Sequence, residues 1–172
     1  MSVATENSAD VNASRRSATR LSIYLNDHLA GSTLGVELVK RACSENQGRP
    51  LGDYLEALRR EIEEDRATLV WLMDELGVRR KRNKVSAAWI AEKLGRLKLN
   101  GQLTGYSPLS PLIELESLHL GINGKLDMWK ALGQSLQHRV DGINFDQLAR
   151  RAEGQAAELE RHRLEAAANA LS

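Results

Sequence analysis

The stretch that decides the fold is Leu51–Leu76, LGDYLEALRREIEEDRATLVWLMDEL. Its residues Leu51, Leu55, Leu58, Ile62, Asp65, Leu69, Leu72 and Leu76 follow one another in steps of four and three, which draws a continuous stripe along one face of an α-helix. Such a stripe packs against other helices. Asp65 alone interrupts the aliphatic series, and a carboxylate at such a position is tolerated when it is paired, hydrogen-bonded or bound to a cation. The stretch therefore predicts a helical core and marks a polar site inside it.

Flanking residues set the ends of this helix. Pro50 suits a first turn, and Gly77 supplies a left-handed cap. Ahead of it, Leu21, Leu25, His28, Ser32, Gly35, Val39 and Ala42 fall on one stripe and predict a helix from about Thr19 to Cys43, its apolar face widened by Ile23, Leu34 and Leu38. The middle of that helix, Ala30-Gly31-Ser32-Thr33 with Gly35, is unusually small. It leaves room for close packing or for a bound group beside His28.

Beyond Gly77, the apolar residues Ala87, Ile90, Ala91, Leu94 and Leu97 predict a short helix within Ser86–Leu99; a hairpin about Asn100-Gly101 is the competing reading, but its strands would be too short to stand alone. A third long helix is predicted from near Ser110 to Leu136, carrying Leu112, Leu115, His119, Ile122, Leu126 and Trp129 on one side. A fourth begins behind an Asn144 N-cap, with Phe145, Leu148, Ala152, Gln155, Leu159, His162 and Ala166 along its seam. About thirty residues separate the second and third long helices, enough to return along the length of a bundle. The fold class expected is all-α, a four-helix bundle with a long crossover containing a short extra helix between helices 2 and 3.

With 172 residues and 42% hydrophobic content the chain supports one sizeable core, expected over residues 19–172 behind a disordered tail at 1–18 rich in Ser, Ala, Asn and Thr. A net charge of +1 gives no global attraction to nucleic acid or anionic membranes. The one basic run, Arg79 to Lys84, follows a helix C-terminus, where cations are favourable in their own right, so nucleic-acid binding is the least supported function. The single cysteine, Cys43, excludes an intramolecular disulfide framework and a cysteine-based zinc site, which fits a reducing cytoplasm. No apolar run reaches the roughly 20 residues that cross a bilayer, and the N-terminus lacks the apolar region of a secretory signal. A soluble, cytoplasmic protein is expected. Trp71, Trp89 and Trp129 are read as packing or interface residues.

The polar residues on the seams define the candidate site. Antiparallel neighbours align residues equally distant from their connecting turn: His28 lies about 19 residues before a turn centred near 47 and Asp65 about 18 after it, while His119 lies about 21 before a turn near 140 and His162 about 22 after it. Glu116 and His119 form Glu-x-x-His, which places both side chains on one helix face, and Glu158 stands one turn before His162. His28, Asp65, His119 and His162, with Glu116 and Glu158 as further ligands or orienting partners, are thus the candidate metal ligands. A nitrogen and oxygen set without thiolate suits iron, manganese or zinc. No organic cofactor is expected.

On these residues, and at residue level on Glu116-Ser117-Leu118-His119 alone, the chain resembles the ferritin-like superfamily of four-helix bundles from about Thr19 to Ala170. That resemblance implies two metal ions held by a glutamate from each of two helices and Glu-x-x-His from each of the other two. The chain departs from this pattern, since helix 1 offers His28 and Ser32, helix 2 offers Asp65, and helix 4 spaces Glu158 and His162 by four. Two functions are therefore expected in parallel. One is a metal-binding protein or metal-dependent oxidoreductase; the other is a non-catalytic helical interaction or homo-oligomerisation module in which Asp65 and the seam histidines form a metal-free network that fixes helix register.

Overall fold

The computed structural model describes residues 3–81, 107, 109–136 and 139–172, with side chains described at 12 and from 15 onward. Four helices account for nearly all of them: α1 (Val3–Glu45), α2 (Pro50–Glu75), α3 (Leu109–Leu136) and α4 (Phe145–Leu171). The chain is an all-helical bundle. The short crossover helix expected over 86–99, with Trp89, lies outside the described residues.

Local chemistry explains the helix ends. Pro50 sits at the start of α2, and the glycines that close the turns, Gly48, Gly77 and Gly142, have φ of 74°, 64° and 80°, a region costly for residues that carry a Cβ. Asn144 caps α4 as predicted, its side chain accepting the Gln147 backbone N–H at 2.9 Å. The start of α1 differs from expectation. The helix runs from Val3 instead of beginning near Thr19, since no glycine or proline occurs between Val3 and Ala30 to stop it. Residues 15–20 are exposed, so this part of the helix gains its order from local helix bonds.

Helix directions follow from the contacts. Thr33 meets Arg66 and Lys40 meets Glu63, so α1 and α2 are antiparallel. Arg41 meets Glu114 at 3.2 Å near one end, while Asp127 acts on Tyr24 and His28 near the other, so α1 and α3 are antiparallel as well. Helices α2 and α3 consequently run parallel; the expected crossover between them lies outside the described residues.

The buried apolar residues divide into two clusters. One joins Val36 and Val39 of α1, Leu55, Leu58 and Ile62 of α2, Leu115, Leu118 and Ile122 of α3, and Leu159 of α4. The other joins Leu25, Leu69, Leu72, Met73, Met128, Trp129, Leu132 and Phe145. Between them lies a waist at the level of Asp65 on α2 and Lys125 on α3. The α2 stripe is buried as predicted from Leu55 to Leu72. On α3 the expected Leu112, Leu115, Ile122 and Trp129 are buried, but Leu118 and Met128 join them in the core while His119 and Leu126 are only half-buried. The apolar width of α1 is largely consumed inside the bundle, with Leu38 in the core and Leu34 half-buried, while Ile23 remains 49% exposed. Among the described residues, no helix is long and apolar enough to cross a membrane.

Candidate functional site: a buried charge network and an open cleft

Asp65 is 3% exposed and its burial is balanced by cations from two other helices. One oxygen accepts from the Lys125 ammonium of α3. The other accepts from Nε of Arg151 on α4 at 3.0 Å and from the Nη2 group of the same guanidinium. Gln155, one turn further along α4, closes the network: its carbonyl accepts from Lys125 and its amide donates to Glu61 at 2.8 Å. Arg151 also donates to Glu64 at 2.9 Å and to the Glu61 backbone carbonyl at 3.1 Å. Burial pushes the Lys125 pKa down, against the pull of the Asp65 carboxylate. For Arg151, burial works in the same direction, but Asp65 and Glu64 outweigh it and its pKa is raised.

The expected ligands are distributed differently. His28 packs edge-on against Tyr24, ring centroids 4.6 Å apart. Because Asp65 and Arg66 are level with the 33–40 stretch of α1, His28 stands more than a turn away along the helix, roughly 7 Å or more. His119 lies on the α3–α4 surface beside Asn123, with its Nε2 4.0 Å from Glu160; Glu116, nearby, meets Arg163 at 3.3 Å. His162 stacks on Tyr54 with centroids 4.1 Å apart, and Glu158 is exposed with Arg161 at 3.9 Å. Among the described residues, no group of three or more His, Cys, Asp or Glu is placed to share a metal ion. A divalent cation at Asp65 would face the Lys125 ammonium and the Arg151 guanidinium, which already occupy both carboxylate oxygens.

Lys125 and Arg151 are the residues that the sequence reading missed. Lys125 had a faint signal, being the one cation between Gly121 and Trp129 in an apolar helix. Arg151 sits next to Arg150 and beside the seam residue Ala152, so nothing in the pattern singles it out.

At the same waist a cleft of about 740 Å³ opens between α1, α2 and α3. Ten residues from the Arg41–Glu114 pair lies Gly31 on α1 and Gly124 on α3; six residues from it lie Gly35 and Leu120, next to Gly121. Glycines therefore stand opposite one another on the two helices. A Cβ built on any of the four meets nothing within 4 Å, so the small residues leave a gap and do not bring the backbones together. Leu34, Leu38, Ile113 and Leu118 give apolar walls, Asp65 and Lys125 lie at the inner side, and Leu120, 75% exposed, stands on the lip. Of the two outcomes that the Gly31–Gly35 segment predicted, room beside His28 is the one realised, since His28 lines this cleft.

Compared with family models, curated proteins and solved structures, the chain matches none. Nothing in those comparisons indicates membership of the ferritin-like superfamily.

Burial lowers the pKa of both His28 and His162 below the ordinary 6.5. For His28 the charges of Asp27 and Asp127 oppose the shift; for His162, Arg161 reinforces it while Glu165 and Glu158 oppose it. Each ring then binds fewer protons folded than unfolded, so stability is full above 6.5 and declines as the pH falls through the lowered value. The urea midpoint is expected to drop between about pH 7 and about pH 5, and the drop to shrink in a His28→Gln/His162→Gln variant. A pH profile unchanged by the double substitution would remove the histidines as its source.

Proposed function

We propose that this chain is a non-catalytic helical binding module, in which the Asp65 network fixes the register of three helices and the cleft beside it takes an apolar small molecule. The single observation that carries this reading is the open glycine-walled gap: a well-packed bundle closes such gaps, and about 740 Å³ of apolar space with a few convergent polar groups is the usual form of a ligand site. The network supplies what the cleft requires. Asp65 is tied to α3 by Lys125 and to α4 by Arg151, so the inner wall of the cleft is held apart from α1 while α1 contributes Gly31 and Gly35 to the opening.

The uncharged dye Nile red tests the reading. Saturable binding of about one dye per chain is expected, with enhanced emission. Gly31→Leu combined with Gly124→Leu, which places side chains in the open space, is expected to reduce affinity at least about tenfold while far-ultraviolet circular dichroism stays unchanged. A folded wild type without saturable binding, or a filled variant that binds as well as wild type, would count decisively against the cleft.

A further inference from the structure

Five arginines among the described residues are half-buried: Arg41, Arg59, Arg66, Arg151 and Arg163. Four of them have acidic partners. Arg41 meets Glu114 at 3.2 Å, Arg59 meets Glu63 at 2.8 Å, Arg151 meets Asp65 and Glu64, and Arg163 meets Glu160 at 2.7 Å. Arg66 is the exception. Its Nε donates to the Thr33 hydroxyl at 3.3 Å, and no carboxylate of the described residues lies within ion-pair reach of it. This cation stands on the cleft wall between Ile62 and Leu69.

From this placement we infer that Arg66 anchors the charged end of the cleft's ligand, and that the ligand is an apolar molecule ending in a single carboxylate. The inference rests on the cleft reading above. With Nε engaged by Thr33, the two terminal nitrogens of the guanidinium keep their N–H groups, the arrangement that receives a carboxylate in a fork. The hydroxyls nearby offer no substitute, because Ser32 donates back to the Leu29 carbonyl and Ser117 to the Ile113 carbonyl, each at 2.8 Å. Lys125 is already committed to Asp65 and Gln155.

Charge sets the limit of one carboxylate. The formally charged residues lining the cleft are Asp27, Asp65, Arg66 and Lys125, two of each sign. A monoanion pairs with Arg66, whereas a second negative charge would meet no free cation and would face Asp27. The apolar body then lies along Leu34, Leu38 and Ile113, in the space that the glycines leave.

The experiment is displacement of Nile red by dodecanoate, by dodecanol of equal chain length, and by vesicles of anionic phospholipid, on wild type, Arg66→Gln and Arg66→Lys. Arg66→Gln is expected to weaken dodecanoate by about ten- to a hundred-fold and dodecanol by less than about twofold. Arg66→Lys, which keeps the charge without the fork, is expected to fall between wild type and Arg66→Gln for dodecanoate. On wild type, raising salt from about 0.05 M to about 0.5 M is expected to weaken dodecanoate and to leave dodecanol unchanged, a measurement independent of how the variants fold. Equal loss for both ligands, no loss for either, or displacement by vesicles but not by monomeric dodecanoate would overturn the anchoring role while Nile red binding upholds the cleft. Absence of Nile red binding to wild type would overturn both.

Discussion

Asp65→Ala is expected to lower folding stability by about 3–5 kcal/mol in urea titration at neutral pH, the largest loss of any single polar truncation in the bundle. The figure follows from what remains behind. Lys125 is largely buried, its side chain 15% exposed, and its remaining partner is the neutral carbonyl of Gln155. Arg151, about one-third exposed, retains Glu64 and contributes less to the loss. The alternative of deleting the charges together separates pairing from packing: Asp65→Leu with Lys125→Met and Arg151→Leu is expected to recover most of the stability, since apolar residues of similar volume replace buried ion pairs at little net cost. A loss below about 1 kcal/mol for Asp65→Ala would show that the carboxylate does not hold the waist.

Proton linkage gives the same variant a pH signature. Burial already lowers the Lys125 pKa, and removing Asp65 removes the carboxylate that opposes the shift. The unfolded chain then holds the Lys125 proton over a wider range than the folded chain, so stability rises with pH toward the ordinary 10.5. Asp65→Ala is accordingly expected to be less destabilising at about pH 9.5 than at about pH 7. A difference of the opposite sign would mean that Lys125 reaches solvent in the variant.

How much of this was legible in the sequence depended on what each residue's neighbours left ambiguous. The α2 stripe admits one reading, because from Leu51 to Leu76 its leucines and Ile62 repeat on one face while most of its charged residues lie off it. The anomaly of Asp65 was legible for the same reason. Its partners were not, because which cation meets it depends on the relative level of separate helices, and an error of a few residues shifts that level by a full turn. Helix α3 has apolar residues on several faces, including Ile113, Leu118 and Leu120, so the stripe through His119 and the one through Leu118 fit the pattern equally well. The structure buries Leu118, and His119 is carried to the rim. The Gly31 segment predicted two opposite things, contact or space, and only the separation of α1 from α3 chooses between them.

Gly52→Ala is expected to destabilise the protein by about 3 kcal/mol or more, although it adds one methyl group within the first turn of a helix. A Cβ at Gly52 would stand 2.2 Å from the backbone oxygen of Asn46 and 2.9 Å from its carbonyl carbon. Those atoms cannot swing aside as a side chain does. Asn46 is 2% exposed, its amide donates to the Ala42 carbonyl at 2.8 Å, and its own carbonyl accepts from Arg49, so the whole turn that reverses α1 into α2 would have to shift. The comparison that isolates this effect is Gly154→Ala on α4, where a Cβ meets nothing within 4 Å and the position is exposed. There the substitution only reduces the freedom of the unfolded chain, and a gain of about 0.5–1 kcal/mol is expected. The two glycine replacements should therefore move the thermal midpoint in opposite directions. If Gly52→Ala leaves it unchanged, the α1–α2 turn has slack that its close backbone contact denies, and the level of α2 against α1 would have to be set by side-chain packing and by the Thr33–Arg66 and Lys40–Glu63 contacts.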